Sequence, residues 1–110
     1  MICVVFYKKR EGFIGFTTSG HAGFAKKGED IVCAAVSSAV QLTVNALTDV
    51  LGLDCIVRVE EKDALVSITL QEESAEAQHF FQAFLIHLQD LKDRYHGKID
   101  ITNMEDTSND

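Results

Sequence analysis

The sequence predicts an α+β two-layer sandwich, with two helices packed on one face of a mainly antiparallel sheet. Three observations point there. Two strand-pair patterns are each followed by a long helical pattern, and a short apolar alternation closes the order ββαββαβ. The 110 residues suffice for one domain, and no proline or composition break divides them. Each helical pattern carries a continuous apolar stripe that must be buried against something.

Taken in order, Ile2 to Tyr7 is a β-branched and aromatic run, Lys8 to Gly12 turns, and Phe13 to Thr18 returns as a hairpin partner. Gly15 within the return strand predicts a bulge or a close backbone approach. Ser19 to Glu29 reads as a loop with glycines at 20, 23 and 28, longer than an ordinary connection. Such loops commonly carry function or mobility. Asp30 suits an N-cap, and Ile31 to Leu51 reads as a helix with Cys33, Val36, Val40, Val44, Leu47 and Leu51 along one seam. The rest of that helix is also apolar, broken by Ser37, Ser38, Gln41, Thr43, Asn45, Thr48 and Asp49, so a sheet covers one side and a second helix or a second subunit another. Gly52 ends it.

Cys55 to Glu60 and Ala64 to Leu70 form a second hairpin across Glu61-Lys62-Asp63. Ser74 caps a second helix that runs to about His96, with a stripe of Ala77, Phe80, Phe81, Phe84, Leu88, Leu91 and Tyr95. Gly97 stops it, and Lys98 to Thr102 is a last short strand. Residues 1–104 thus form a single domain, and the acidic, polar residues 105–110 are expected to be a disordered tail.

The net charge of -7 argues against direct nucleic-acid binding, which needs clustered Lys and Arg to neutralise phosphates. It favours a basic partner. No apolar run is expected to be of transmembrane length. The N-terminus, MICVVFYKKR, places its charges after the apolar segment, the reverse of a signal peptide, so a cytoplasmic home is expected. Cys3, Cys33 and Cys55 are odd in number and widely spaced, which argues against a disulfide framework and a structural zinc. No cofactor or metal is expected.

The stretch GHAGFAKKGEDIVCAAVSSAV, residues 20–40, asks for more than packing. With Asp30 as N-cap, Cys33 falls in the first helical turn, where free N–H groups and the helix dipole favour a thiolate, while Asp30 opposes it by repulsion. His21 lies in the loop that leads into that turn and can fold back over Cys33. A thiol with an adjacent imidazole is the minimal nucleophile–base pair for acyl transfer, and helix-start N–H groups could bind the oxyanion. Gly20, Gly23 and Gly28 would let the loop approach or cover a peptide. Ser37 lies one turn beyond Cys33 on the same side, and Asp30 either orients His21 or simply caps the helix. The plainer alternatives are a buried small hydrophobe at Cys33 and a solvated surface residue at His21. Cys3 and Cys55 read as sheet or core residues, and His79, His87 and His96 as structural residues of the second helix.

The composite of GHA, a short glycine-containing loop and GEDIVCAAVSSAVQLTVNAL resembles the ribosomal-processing cysteine protease Prp (YsxB-like) family. The likeness spans the whole chain in length and element order and is most specific over residues 20–47. It implies a small cytosolic endopeptidase that removes the N-terminal extension of a large-subunit ribosomal protein, cutting after an aromatic residue. It implies His21 as base and Cys33 as nucleophile, the 20–28 loop with Gly20, Ala22, Gly23 and Gly28 as the substrate-covering element, and a homodimer. Asp30 and Ser37 receive no role from the resemblance. Two other classes remain open at this stage: a non-catalytic ribosome-assembly module that grips the same peptide, and a thiol hydrolase for a small ester or thioester.

Overall fold

The computed structural model describes residues 1–20 and 27–105, with no side-chain description for 27–30. Its elements are β1 (Ile2–Lys9), β2 (Gly12–Ser19), α1 (Lys27–Asn45), a π-helical turn (Ala46–Val50), β3 (Cys55–Glu60), β4 (Leu65–Leu70), α2 (Ala75–Arg94) and β5 (Ile99–Glu105). The five strands form one sheet in the order β3-β4-β2-β1-β5. All neighbouring pairs are antiparallel except β1 with β5, which runs parallel; α2 carries the chain from β4 across the sheet to β5. The ββαββαβ order and the α+β layering are as the sequence predicts.

Strand alternation sends Val4, Phe6, Phe16 and Ile68 to the helix side, where all are buried, whereas Cys3 faces outward and is exposed. Both helices contribute to the resulting core, with Val32, Val36, Val40 and Leu47 from the α1 side and Phe81, Phe84 and Leu88 from α2. Phe6, Phe13, Phe16, Phe81 and Phe84 form a connected aromatic cluster, with Phe16 and Phe84 centroids only 4.6 Å apart. Each tilted pair of this kind contributes roughly 0.5–1.5 kcal/mol beyond area burial.

Gly15 shows both features expected of it. The register of β1 against β2 slips by one residue beyond Tyr7↔Gly15, leaving Ile14 as the bulged residue. A Cβ at Gly15 would also run into the Ile68 carbonyl oxygen of β4. The bulge is held by α2: the Phe13 N–H donates to Gln78 Oε1 at 2.7 Å, and Gln78 Nε2 donates back to the Phe13 carbonyl at 2.9 Å. Ser74 caps α2 as predicted, its Oγ accepting from the Ala77 N–H at 3.1 Å.

Several expectations are corrected. First, α1 begins at Lys27, not after Asp30, so Gly28 and Asp30 lie inside the helix and Cys33 sits in its second turn. A cap read from sequence is a preference, and a glycine inside a helix costs only about 1 kcal/mol, so the helix extends through it. Second, the buried stripe of α1 starts at Val32, which is 1 % exposed, and runs through Val36, Val40 and Thr43 to Leu47. This rotates Cys33 to the edge of the stripe, where it is half-buried. Thr43 enters the core because its hydroxyl donates to the Ala39 carbonyl at 2.7 Å.

Third, the α-helical pattern does not continue to Leu51. Residues 46–50 make a π-helical turn, with the Leu51 N–H donating to the Ala46 carbonyl at 2.9 Å, and this lets Ala46 and Leu47 both be buried. Gly52 follows at φ +66 as the terminating residue. Fourth, β5 continues to Glu105, which registers against Lys8, so Glu105 belongs to the sheet and only 106–110 of the expected tail lie outside the described residues. Fifth, Ile31–Val50 is in fact long and apolar enough to cross a membrane, with a mean hydropathy of 1.6, because its polar residues are almost all uncharged. Val32, Val36, Val40 and Leu47 of that segment are core residues, so one face of it packs in the interior, while Ile31, Leu42 and Val50 on other faces are exposed.

Candidate active site

Where α1 crosses the sheet it leaves a cleft of about 530 Å³ between its own side and the β3–β4 hairpin. Cys33, Ser37, Val40 and Val44 of α1 form one wall, and Val57, Val59 and Val66 of the hairpin face them. Thr18, Ser19 and Gly20 close the end near the N-terminal part of α1. Among the described residues, no charged side chain lines the cleft.

Cys33 reaches this cleft because a helix advances about 100° per residue. Cys33, Ser37 and Val44 fall within about 40° of each other, just beside the buried stripe. They therefore look into the space where core packing stops. Ser37 is exposed and stands one turn from Cys33 on the same wall, as the sequence predicts.

Gly20 is fixed where β2 ends. Its N–H donates to the Asp63 carbonyl in the β3–β4 turn at 3.2 Å, and its φ is +87. A Cβ there would lie 2.5 Å from the Met1 carbonyl oxygen. Only glycine fits without strain, so the chain leaves β2 toward the next residue, His21, from a pinned position. His21, Ala22 and Gly23 lie outside the described residues, as does the Asp30 side chain. Of the residues predicted for the site, the structure brings together Gly20, Cys33 and Ser37.

The start of α1 at Lys27 changes one expected role. The unbonded N–H groups of a helix are its first four, so here they belong to the turn before Cys33 rather than to the turn that carries it. A helix-start oxyanion site built immediately around Cys33 is therefore not available.

The other cysteines behave differently. Cys3 is exposed on the open face of the sheet, and Cys55 is half-buried in β3. Burial first, and the neighbouring Asp54 carboxylate second, push the Cys55 thiol above its ordinary pKa and hold it in the neutral form. His79, His87 and His96 are all exposed on or just after α2, His87 included despite its place beside the apolar stripe.

Sequence reasoning missed Thr18, Ser19, Val57, Val59 and Val66 as cleft residues. The available signal was in β3: Val57 and Val59 are apolar on a strand that also carries Arg58, Glu60 and a charged turn, the composition of an edge.

Comparison with known proteins decides the family. Residues 1–100 match the family model for cysteine protease Prp. This chain belongs to the cysteine protease Prp family. A Bacillus subtilis (strain 168) relative, ribosomal processing cysteine protease Prp, is 26% identical over 97 residues, covering 84% of this chain and 87% of the relative. The protein of the same name from Mycoplasma pneumoniae is 75% identical over a shorter stretch of 24 residues, 22% of this chain and 24% of that protein. Among solved structures, SMU.848 from Streptococcus mutans superposes with a TM-score of 0.85 at 28% identity, covering 96% of both chains. The S. aureus ribosomal processing protease Prp, solved with a covalently linked product peptide, gives 0.84 at 25% identity over 94% of this chain and all of that one. Membership of the Prp family makes a cysteine protease of this chain and agrees with the resemblance drawn from residues 20–47.

Proposed function

We propose that this protease is an endopeptidase that removes the N-terminal extension of a large-subunit ribosomal protein, cutting after an aromatic residue, with Cys33 as nucleophile and His21 as base. The observation that carries the reading is the position of Cys33: a half-buried thiol on the wall of a cleft of about 530 Å³, in which no described lining residue is charged. The B. subtilis relative is named for ribosomal processing, and the S. aureus relative holds a covalently linked product peptide.

In this mechanism the peptide enters the cleft and places its scissile carbonyl beside the Cys33 sulfur. His21, delivered by the chain that leaves the pinned Gly20, takes the thiol proton. The sulfur attacks the carbonyl carbon, and the Ser37 hydroxyl, one turn away, donates a hydrogen bond to the reacting group. The C–N bond breaks as His21 returns the proton to the departing amine. Water, again deprotonated by His21, then hydrolyses the thioester and frees Cys33. The segment between Gly20 and the start of α1 at Lys27, with Ala22 and Gly23, serves as the covering segment, and Asp30 supports His21.

The working unit is a homodimer in the cytoplasm. Ile31, Ser38 and Leu42 lie within about 40° of one another around α1, on the side away from both core and cleft. Ile31 is 56% and Leu42 71% exposed, which suits this face to a second copy. The acidic chain suits a basic ribosomal substrate.

The test incubates purified protein with a ribosomal-protein precursor that retains its extension and reads the products by intact mass. One cut after an aromatic residue, absent with Cys33→Ala and with His21→Ala, supports the reading. Tight binding without any cut by the wild type overturns it.

A further inference from the structure

One row of register partners on the helix side of the sheet runs Val59, Val66, Thr18, Val4 and Ile101, across all five strands. Every member but Thr18 is a branched apolar residue. Thr18 is only 5% exposed. Threonine and valine share an outline, so valine would fill this place in the row without burying a hydroxyl.

That hydroxyl gains little inside the protein. Among the described residues its one partner is the Val66 carbonyl, to which it donates at 3.5 Å, a long contact for an O–H donor. Thr43, the other buried polar residue described, bonds the Ala39 carbonyl at 2.7 Å. A hydroxyl also carries two acceptor positions. At Thr18 those positions have no donor among the described residues.

The location of Thr18 indicates what completes its bonding. It lines the cleft that Cys33 and Ser37 line from α1, at the end closed by Ser19 and Gly20. It stands two residues before Gly20, about 7 Å along an extended strand. A peptide entering this cleft meets Val36, Val40, Val44, Val57 and Val66, which strip water from its N–H groups and offer them no acceptor.

We infer that Thr18 is a substrate-binding residue, whose hydroxyl oxygen accepts a hydrogen bond from a main-chain N–H of the bound peptide close to the scissile bond. This rests on the protease reading of the same cleft. The bond recognises the peptide backbone and not a side chain, so it serves any residue with an N–H at that position and excludes proline there.

The test uses the full chain with Thr18→Val, which removes the oxygen and keeps the shape, and Thr18→Ser, which restores it. The probe is a fluorescent extension peptide spanning the cut. In a companion series, the two amide bonds on each side of the scissile one are replaced by esters, one at a time, each removing a single N–H. Affinity is measured in a Cys33→Ala background, and turnover in the Cys33 parent. Thr18→Val should weaken binding and raise KM by about threefold to tenfold, with kcat within about twofold, and Thr18→Ser should recover most of the loss. One ester should weaken binding to the parent by the same factor and weaken binding to Thr18→Val no further, which identifies the N–H. Tm should not fall in Thr18→Val, because the row is already apolar and the internal bond is long.

Unchanged affinity and KM in Thr18→Val, with a parent that cuts, overturns the acceptor role and leaves the protease reading intact. A loss in Thr18→Val that no ester reproduces in the parent also overturns it and makes Thr18 a packing residue. A parent that binds but never cuts refutes the protease reading, and the ester series still decides Thr18. A parent that does not bind refutes both.

Discussion

Replacing Gly20 by alanine perturbs the point where fold and proposed chemistry meet. Two costs add. The residue sits at φ +87, which an L side chain adopts at a cost of about 1–2 kcal/mol. The new Cβ would also lie 2.5 Å from the Met1 carbonyl oxygen, a backbone atom. Met1 is exposed, so it yields in part, and about 1 kcal/mol remains from that contact. The total of about 2–3 kcal/mol lowers Tm by roughly 8–20 °C for a domain of this size. If the chain instead rotates to relieve the strain, the 3.2 Å bond to Asp63 breaks and the approach of His21 changes. Thermal unfolding and kcat/KM measured together at 15 °C, where the variant is still folded, check this. Activity should fall more than tenfold, chiefly in kcat, because the altered residue sets the approach of His21, the proposed base. A Gly20→Ala protein with parental Tm and parental kcat/KM would refute the reasoning.

Other outcomes follow from the same structure. Gln78→Ala removes both hydrogen bonds to the bulged strand at Phe13 and should cost about 1–3 kcal/mol by denaturant titration, with kcat/KM unchanged in the folded fraction. Ser74→Ala removes the α2 cap and should cost about 1 kcal/mol in the same assay. Cys55 contributes a pH dependence of known sign: its folded pKa is raised, so the unfolded chain loses the proton first and stability falls as pH rises past the ordinary thiol range near 8.5. Cys55→Ala should flatten that part of the stability curve, and alkylation of Cys55 should be slower than that of exposed Cys3. Leu42→Lys should halve the mass seen by light scattering if α1 forms the dimer face, without loss of fold, since Leu42 is 71% exposed.

Much of this fold is legible in local sequence because its signals are local. Strand alternation, the Ser74 cap, the α2 stripe and the glycine stops at 52 and 97 each depend on a few neighbouring residues. The misplaced features depend on distant ones. The apolar residues of α1 nearly encircle it, so periodicity alone does not choose between a stripe starting at Cys33 and one starting at Val32. Tertiary packing makes that choice, and the one-residue rotation puts Cys33 on the cleft wall. The π-helical turn at 46–50 likewise answers the need to bury Ala46 and Leu47 together, for which the sequence carries no local mark. The exposed valines of β3 looked like half of an ordinary hairpin until the sheet order made β3 an edge. Cys33 stood out by its sequence context with His21, whereas the opposite wall of its cleft comes from residues more than twenty positions away.

The most direct measurement of the central claim is the mass of the protease itself during turnover. The protein is mixed with an extended ribosomal-protein precursor, quenched in acid within the first turnovers, and digested for mapping. The mechanism predicts a transient adduct equal to the released extension minus water, carried as a thioester on the peptide containing Cys33 and absent from Cys33→Ala. Cleavage that proceeds with no adduct on Cys33 and persists in Cys33→Ala would contradict it.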